Sequence, residues 1–336
     1  MKIKLLLIIS LIFIMPCLAG ADDSAIGEEG ISVSSHSWSP FEFSIYSPMQ
    51  VFNRDYDISG LRLSLLYGEN ADVSGLDIGI GATKADNMLG IQIAGLMNKV
   101  SGAETENRRM KGLEIAGYLN TADNLLGIQI GGIANEVKNK ALGMEITSIV
   151  NASGKITGIQ IAALGANTTD DLLGLQIGFY GNKVTNKAAG IQIAGGGNTT
   201  DNLRGIQIGG FANEAKNKAK GIQIAGFMNV SKEITGIQVA IANYPYELPD
   251  SKFAGVQVGV LNYADTVSGF QIAGIANVSK KIEGVQLGGF NYADSLRGVQ
   301  VGIWNSCKNL YGVQIGIANK IENSSHPFIP LVNASF

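Results

Sequence analysis

The feature that most constrains this chain is a phrase, "GIQIAGFMN" from Gly221 to Asn229, whose near copies recur along most of its 336 residues. Aligned on the opening glycine, they start at residues 60, 75, 90, 112, 127, 143, 158, 174, 190, 205, 221, 236, 255, 269, 284, 298 and 312. Most starts lie 14 to 16 residues apart. Two places on, thirteen of the seventeen units carry Gln, and the other four carry Arg62, Asp77, Glu114 and Glu145. An Asn closes fifteen units. Gly90, Gln92 and Asn98 make one such set; Gly127, Gln129 and Asn135 another; Gly221, Gln223 and Asn229 a third; Gly312, Gln314 and Asn319 the last. A unit this short has no core of its own, so the units must stack on one another.

Within a unit the alternation has the period of a strand. In "GVQVGVLN", Val256, Val258 and Val260 share one face and Gly255, Gln257 and Gly259 the other. Most units hold one more residue in a small pair such as Ala225-Gly226, the mark of a bulge or bend. The apolar residue two places before each glycine (Leu125, Ile156, Leu203, Ile282) breaks the phase, which places a corner near the glycine. The expectation is an all-β chain of short strands with Asn turns, its Ile/Val faces buried as one continuous core. Each buried Ile or Val then contributes about 1.5–3 kcal/mol.

Two architectures fit: a β-solenoid, in which each unit is a coil, and an antiparallel meander closed as an outer-membrane β-barrel. Signal-like residues at the start and a terminal Phe336 favour the barrel. Other features favour the solenoid. "GYLNTADNLLGIQIGGIANEVKNKALG" resembles "GGGNTTDNLRGIQIGGFANEAKNKAKG" at an offset of 78 residues, five units. An odd shift reverses every strand of a meander and leaves a solenoid unchanged. The two long insertions follow the third and twelfth units, which would put them at opposite ends of a barrel. The apolar stripe is also short for strands that cross a membrane in about 9–11 residues. The solenoid is the expected fold, with residues 60–319 as the array, 22–59 as an N-terminal lead-in and cap, and 320–336 as a C-terminal cap.

Residues 1–21 read as a secretory signal: Lys2 and Lys4, an apolar run from Leu5 to Met15, and small residues before Asp22. Cys17 as a lipid-anchor cysteine is the rival reading, with Pro16 a poor fit before it. Cleavage removes two lysines and takes the formal charge from −3 to −5, leaving Cys307 as the single cysteine and no intrachain disulfide. There is no basic composition to suggest nucleic acid. Gly is 44 of 336 residues, against an average of about 7%, and Pro only 7, which suits many tight turns.

The stretch "GIQIGGFANEAKNKAKGIQIAGFMN", with "GVQVGVLNYADTVSG" after it, resembles the surface-repeat proteins of spirochaetes and other Gram-negative-type bacteria, which carry runs of a G-x-Q-x-G/A-x-x-N unit behind a signal peptide. The resemblance covers about residues 41–336, including "FSIYSPMQVF" and "SGLRLSLLYG". It implies export and a surface or outer-membrane location, and it carries no catalytic residues to transfer. The first two units, "GLRL" and "GLDI", depart from the pattern and are expected to act as part of the cap.

No constellation of catalytic residues stands out. His36 and His326 lie outside the repeats, and Cys307 has no histidine nearby. Asp170-Asp171 and Glu28-Glu29 hint at calcium, yet "TTDDLLG" occupies a turn position where Asp is an ordinary turn former. Glu104, Glu106, Glu247 and Asp250 in the insertions form no recognisable acid–base set. Asn151, Asn229 and Asn277 begin N-x-S/T triplets that arise from the closing Asn. No metal or cofactor is expected. The glutamines are the most suggestive series. Gln92, Gln129, Gln160, Gln176, Gln192, Gln207, Gln223 and Gln238 are read as a stacked amide ladder that sets register, or as a repetitive binding face for a glycan, host matrix or other envelope component. The Lys-rich turns "EVKNK" and "EAKNK" read as solvated edges. The reading is of an exported, non-enzymatic scaffold at the cell surface or outer membrane, with a barrel channel as the alternative.

Overall fold

A computed structural model describes residues 37–101, 109–247 and 250–336. The signal reading of residues 1–21, Cys17, Glu28-Glu29, His36, Glu104 and Glu106 lie outside the described residues. The described chain is strand almost throughout, and each coil hydrogen-bonds in parallel to the coils before and after it. Residues 166–169 and 171–178 pair with 150–153 and 155–162 on one side, and Gly174 faces both Gly158 and Gly190. Parallel pairing at intervals of one unit is a β-solenoid, and it replaces the alternative of an antiparallel barrel. Both insertions leave the stack in register: Gly90 pairs with Gly112, and Gly236 with Gly255.

The stack continues into both terminal segments. Trp38–Tyr46 runs parallel to the first phrase-bearing strand, Asp57–Gly79, with Phe41 opposite Leu61. Phe328–Ser335 turns antiparallel against the last coil and sets Asn333 opposite Gln314. The "GLRL" and "GLDI" units, expected as part of the cap, are full coils with the same glycine geometry as the rest.

All seventeen opening glycines have φ between +127° and +150°, a region open to glycine alone. A Cβ there would also meet the preceding coil: at Gly221 it would lie 1.9 Å from the carbonyl oxygen of Gly205. The glycine is therefore required twice over, by the turn and by the close approach of coil to coil.

The expected core is inverted. At the two outward positions after each glycine, filled by pairs such as Ile91/Ile93 and Ile222/Ile224, no side chain is buried. The Gln side chains between them point inward and are 0–2% exposed. The apolar core is narrower and lies elsewhere. It is built from the residues two places before each glycine (Met88, Leu125, Ile156, Leu203, Ile282) packed against Ala85, Val100, Ala122, Val137 and Val184. The reason is one of hydrogen bonding. An amide can be buried without penalty when identical amides above and below satisfy it, so stacking lets Gln and Asn fill the interior. Core volume is balanced within the coil: where Val137–Lys140, Val184–Lys187 and Ala215–Lys218 carry an extra residue against the neighbouring coil, the following core residue shrinks to Ala141, Ala188 and Ala219.

Candidate functional site

Two polar ladders run through the interior. From Gln176 to Gln314 each Gln donates from Nε2 to the Oε1 of the Gln in the preceding coil, as in Gln176 to Gln160 at 2.7 Å and Gln300 to Gln286 at 2.7 Å. The closing asparagines run the other way. Asn167 Nδ2 donates to Asn182 Oδ1 of the next coil at 2.8 Å and to the carbonyl of Ile177 at 2.8 Å, just before that coil's bend. The same pair of bonds recurs from Asn98 to Asn305. Thr83 occupies the closing position of its own unit and donates to Asn98 at 2.8 Å.

These ladders decide the fate of the proposed binding face. Gln92, Gln129, Gln160, Gln176, Gln192, Gln207, Gln223 and Gln238 are enclosed by the coil and present nothing to a ligand. Burial leaves them no surface to act as a binding face, and from Gln160 on their amides are joined to one another from coil to coil. Asn151, Asn229 and Asn277 are likewise 0% exposed, so their triplets are closed to a glycan.

The bonding yields a direct expectation. In Asn167→Ala, the carbonyl of Ile177, the amide of Asn151 and the oxygen of Asn182 each lose a partner. At roughly 1–3 kcal/mol for a buried polar group left unmade, the loss should exceed about 3 kcal/mol in urea unfolding. A loss below about 1 kcal/mol would show that the ladder contributes register alone.

Near the N-terminal end the ladder carries charge. Arg62 forms a two-pronged ion pair with Asp77, at 2.8 and 2.5 Å, both side chains fully buried. Arg62 also donates to Asn70 Oδ1 and the carbonyl of Lys84, and Gln92 donates to Asp77, so the pair is well enclosed by hydrogen bonds. Glu114 and Glu145 fill two Gln places. Gln129 donates to Glu114 at 2.6 Å, and Ser153 and Gln160 donate to Glu145. Burial is the main cause that pushes Glu114 up to about 8, with Asp77 adding to it, and pushes Glu145 up to about 7. Two acceptors next to them lack donors: Gln92 Oε1 in the coil before Glu114, and Gln129 Oε1 in the coil before Glu145. A protonated carboxyl supplies the missing donor and so imitates the glutamine amide.

Cys307 sits inside where other coils place a serine, accepts a weak bond from Gln314 Nε2 at 3.4 Å, and has its thiol pushed up to about 12 by burial. His326 is exposed near the C-terminal strand, against Ser325. Asp170 and Asp171 lie on the outer surface, Asp171 beside Lys155 at 3.6 Å. Among the described residues no three His, Cys, Asp or Glu side chains are grouped to hold a metal. A half-open depression lined by Tyr244, Ser251 and Phe253 spans about 180 Å³ with its open solvent included, short of the roughly 300–1,000 Å³ of ligand pockets.

What the molecule does offer is surface, divided by chemistry. Beyond the bend, several turns hold one lysine paired with an acid of the coil before it. Lys138 meets Asp123 of the coil before at 2.8 Å, Lys216 meets Asp201 at 3.3 Å, Lys280 meets Asp265 at 2.7 Å and Lys308 meets Asp294 at 2.7 Å. Signs alternate along Asp265, Lys280, Asp294 and Lys308, which neutralises side chains one strand spacing apart. The face after the glycine has no charge at all. At both outward positions in all seventeen coils, from Leu61 and Leu63 to Val313 and Ile315, the residue is Leu, Ile, Val, Met or Phe. Exposure there reaches 41% at Ile224 and 48% at Phe270. Sequence reasoning saw this stripe and assigned it to the interior. The signal that could have placed it outside was the Gln and Asn between the apolar residues, since those amides need each other. Comparison with known protein families, with curated proteins and with solved structures finds no match to this chain.

Proposed function

We propose that the chain is an exported, non-enzymatic repeat protein of the bacterial cell envelope, an interaction scaffold whose uncharged solenoid face meets its partner. One observation carries this reading: thirty-odd outward positions on a single face are apolar without exception, though they contribute little to the chain's own core. A contiguous apolar patch beyond a few hundred Å² marks an interaction site on a soluble molecule. Coil-to-coil pairing holds that surface together without help from a partner. The signal-like residues 1–21 and the resemblance to surface-repeat proteins support export and an envelope location. Glycan or host-matrix binding through the glutamines loses its surface, so the partner is sought on the apolar face.

The test is fractionation of an epitope-tagged chain expressed in a Gram-negative host, beside a variant without residues 1–21. The full chain should appear in the envelope fraction and the shortened one in the cytosol. Equal retention of both in the cytosol would end the reading.

A further inference from the structure

We infer that the apolar face rests on a lipid surface bearing anionic headgroups, an inference that rests on the scaffold reading above. Seventeen coils at about 4.8 Å per strand make a face roughly 75 Å long, and five residues at about 3.3 Å make it roughly 16 Å wide. The resulting area of about 1,200 Å² is well above the roughly 300–600 Å² of the largest patch on a typical monomer. Its backbone groups are already bonded from coil to coil, so contact with acyl chains leaves no peptide group unpaired.

The two edges identify the occupant. The stretch leading into the glycine turns basic residues outward in many coils, among them Lys111, Lys140, Lys187, Arg204, Lys220 and Arg297, all exposed. The bend after the face turns rings outward: Tyr180, Phe211, Phe227, Phe290 and Trp304. Phe211 and Phe227 stack at 5.1 Å between ring centres, and other bends turn Leu96, Ile133, Ile149 and Leu164 outward. An apolar face between a basic edge and an aromatic edge is the arrangement that suits the boundary between headgroups and acyl chains. Lys and Arg near such a surface are attracted to anionic lipid. Acids on that same stretch, Asp57, Asp72, Asp171, Glu233 and Glu283, are fewer than its basic residues, and the last three are paired with Lys155, Lys218 and Lys281. Charge complementarity therefore points the apolar face and its basic edge toward the same membrane.

Flotation of the purified chain tests this, using vesicles of phosphatidylcholine alone and of phosphatidylcholine with an equal share of phosphatidylglycerol. The chain should float with the anionic vesicles, and added salt should weaken the association. The variant I193T/I208T/I224T keeps β-branched residues on three successive coils and should lose about tenfold or more in binding with an unchanged circular dichroism spectrum. K187Q/R204Q/K220Q should lose binding to the anionic vesicles and not to the neutral ones. Failure to float on either vesicle overturns the inference. So does a light-scattering dimer of the parent chain that the threonine variant converts to monomer, since a second copy would then cover the face. An exported chain that does not float refutes the lipid inference alone; a chain that is not exported refutes the scaffold reading.

Discussion

Replacing Glu114 and Glu145 together by glutamine should stabilise the protein at about pH 8 and flatten its pH dependence. Both carboxyls are held above their ordinary 4.5 by burial, to about 8 and about 7. Between about pH 4.5 and 7 the unfolded chain gives up two protons that the folded chain keeps. Stability therefore falls as pH rises, by roughly 1.4 kcal/mol per unit for each group. The contribution is fully present below the unfolded value, is lost through this window, and for Glu114 is gone once pH passes about 8. Glutamine makes the same two bonds without a proton to lose: Nε2 to the preceding Gln oxygen, Oε1 to the following amide. The expected gain at about pH 8 is on the order of 4 kcal/mol at Glu114 and somewhat less at Glu145. Asp77, which also faces Glu114 through the ladder, stays paired with Arg62 in both proteins. Urea unfolding at several pH values decides the matter. A double variant with the parent's slope between about pH 5 and 7 would mean that these carboxyls are ionised in the folded stack.

The second large effect is expected at the opening glycines. In Gly205→Ala the new Cβ falls 2.0 Å from the carbonyl oxygen of Gly190, at a φ of +144° that L residues do not adopt. The neighbouring atoms are backbone on a coil pinned by its own hydrogen bonds, so nothing can yield cheaply. A loss above about 4 kcal/mol follows, or a chain that does not fold at all. Gly274→Ala is the control. Its nearest neighbour is the Cα of Val260 at 4.0 Å and its φ is not in the forbidden range, so the melting temperature should hold or rise slightly. If Gly205→Ala melted together with Gly274→Ala, the close approach of coils would not be what selects glycine.

How far this was legible in the sequence can be judged from particular positions. The recurrence of Gly205, Gln207 and Asn213 at one-unit spacing was enough for stacked coils, and the five-unit duplication was enough to prefer them over a meander. The corner at the glycine was also readable from the broken phase at Leu203. The sidedness was not. Hydrophobicity alone places Ile206 and Ile208 inside and Gln207 outside, because a lone buried amide is costly. That cost vanishes when Gln192 and Gln223 sit directly above and below it, which is a fact about neighbours in space and not about the unit itself. The acid pairs "TADN" and Lys-bearing "EVKNK" likewise read as separate turns until stacking joins Asp123 to Lys138. The candidate surface was therefore visible as a pattern and assigned to the wrong side of the wall.

The opposed directions of the two amide series have a consequence for how such a gene can change. From Gln176 to Asn305 each coil hands one hydrogen bond backward through its Gln and one forward through its Asn, so these coils offer the same sockets to whatever lies on either side. Removing or inserting whole coils reconnects both series without a single substitution. Unequal recombination among near-identical stretches then lengthens or shortens the molecule by whole coils, five at a time for the stretches 78 residues apart. Copy number becomes a heritable dial for the size of the uncharged face, set independently of the stability of any one coil.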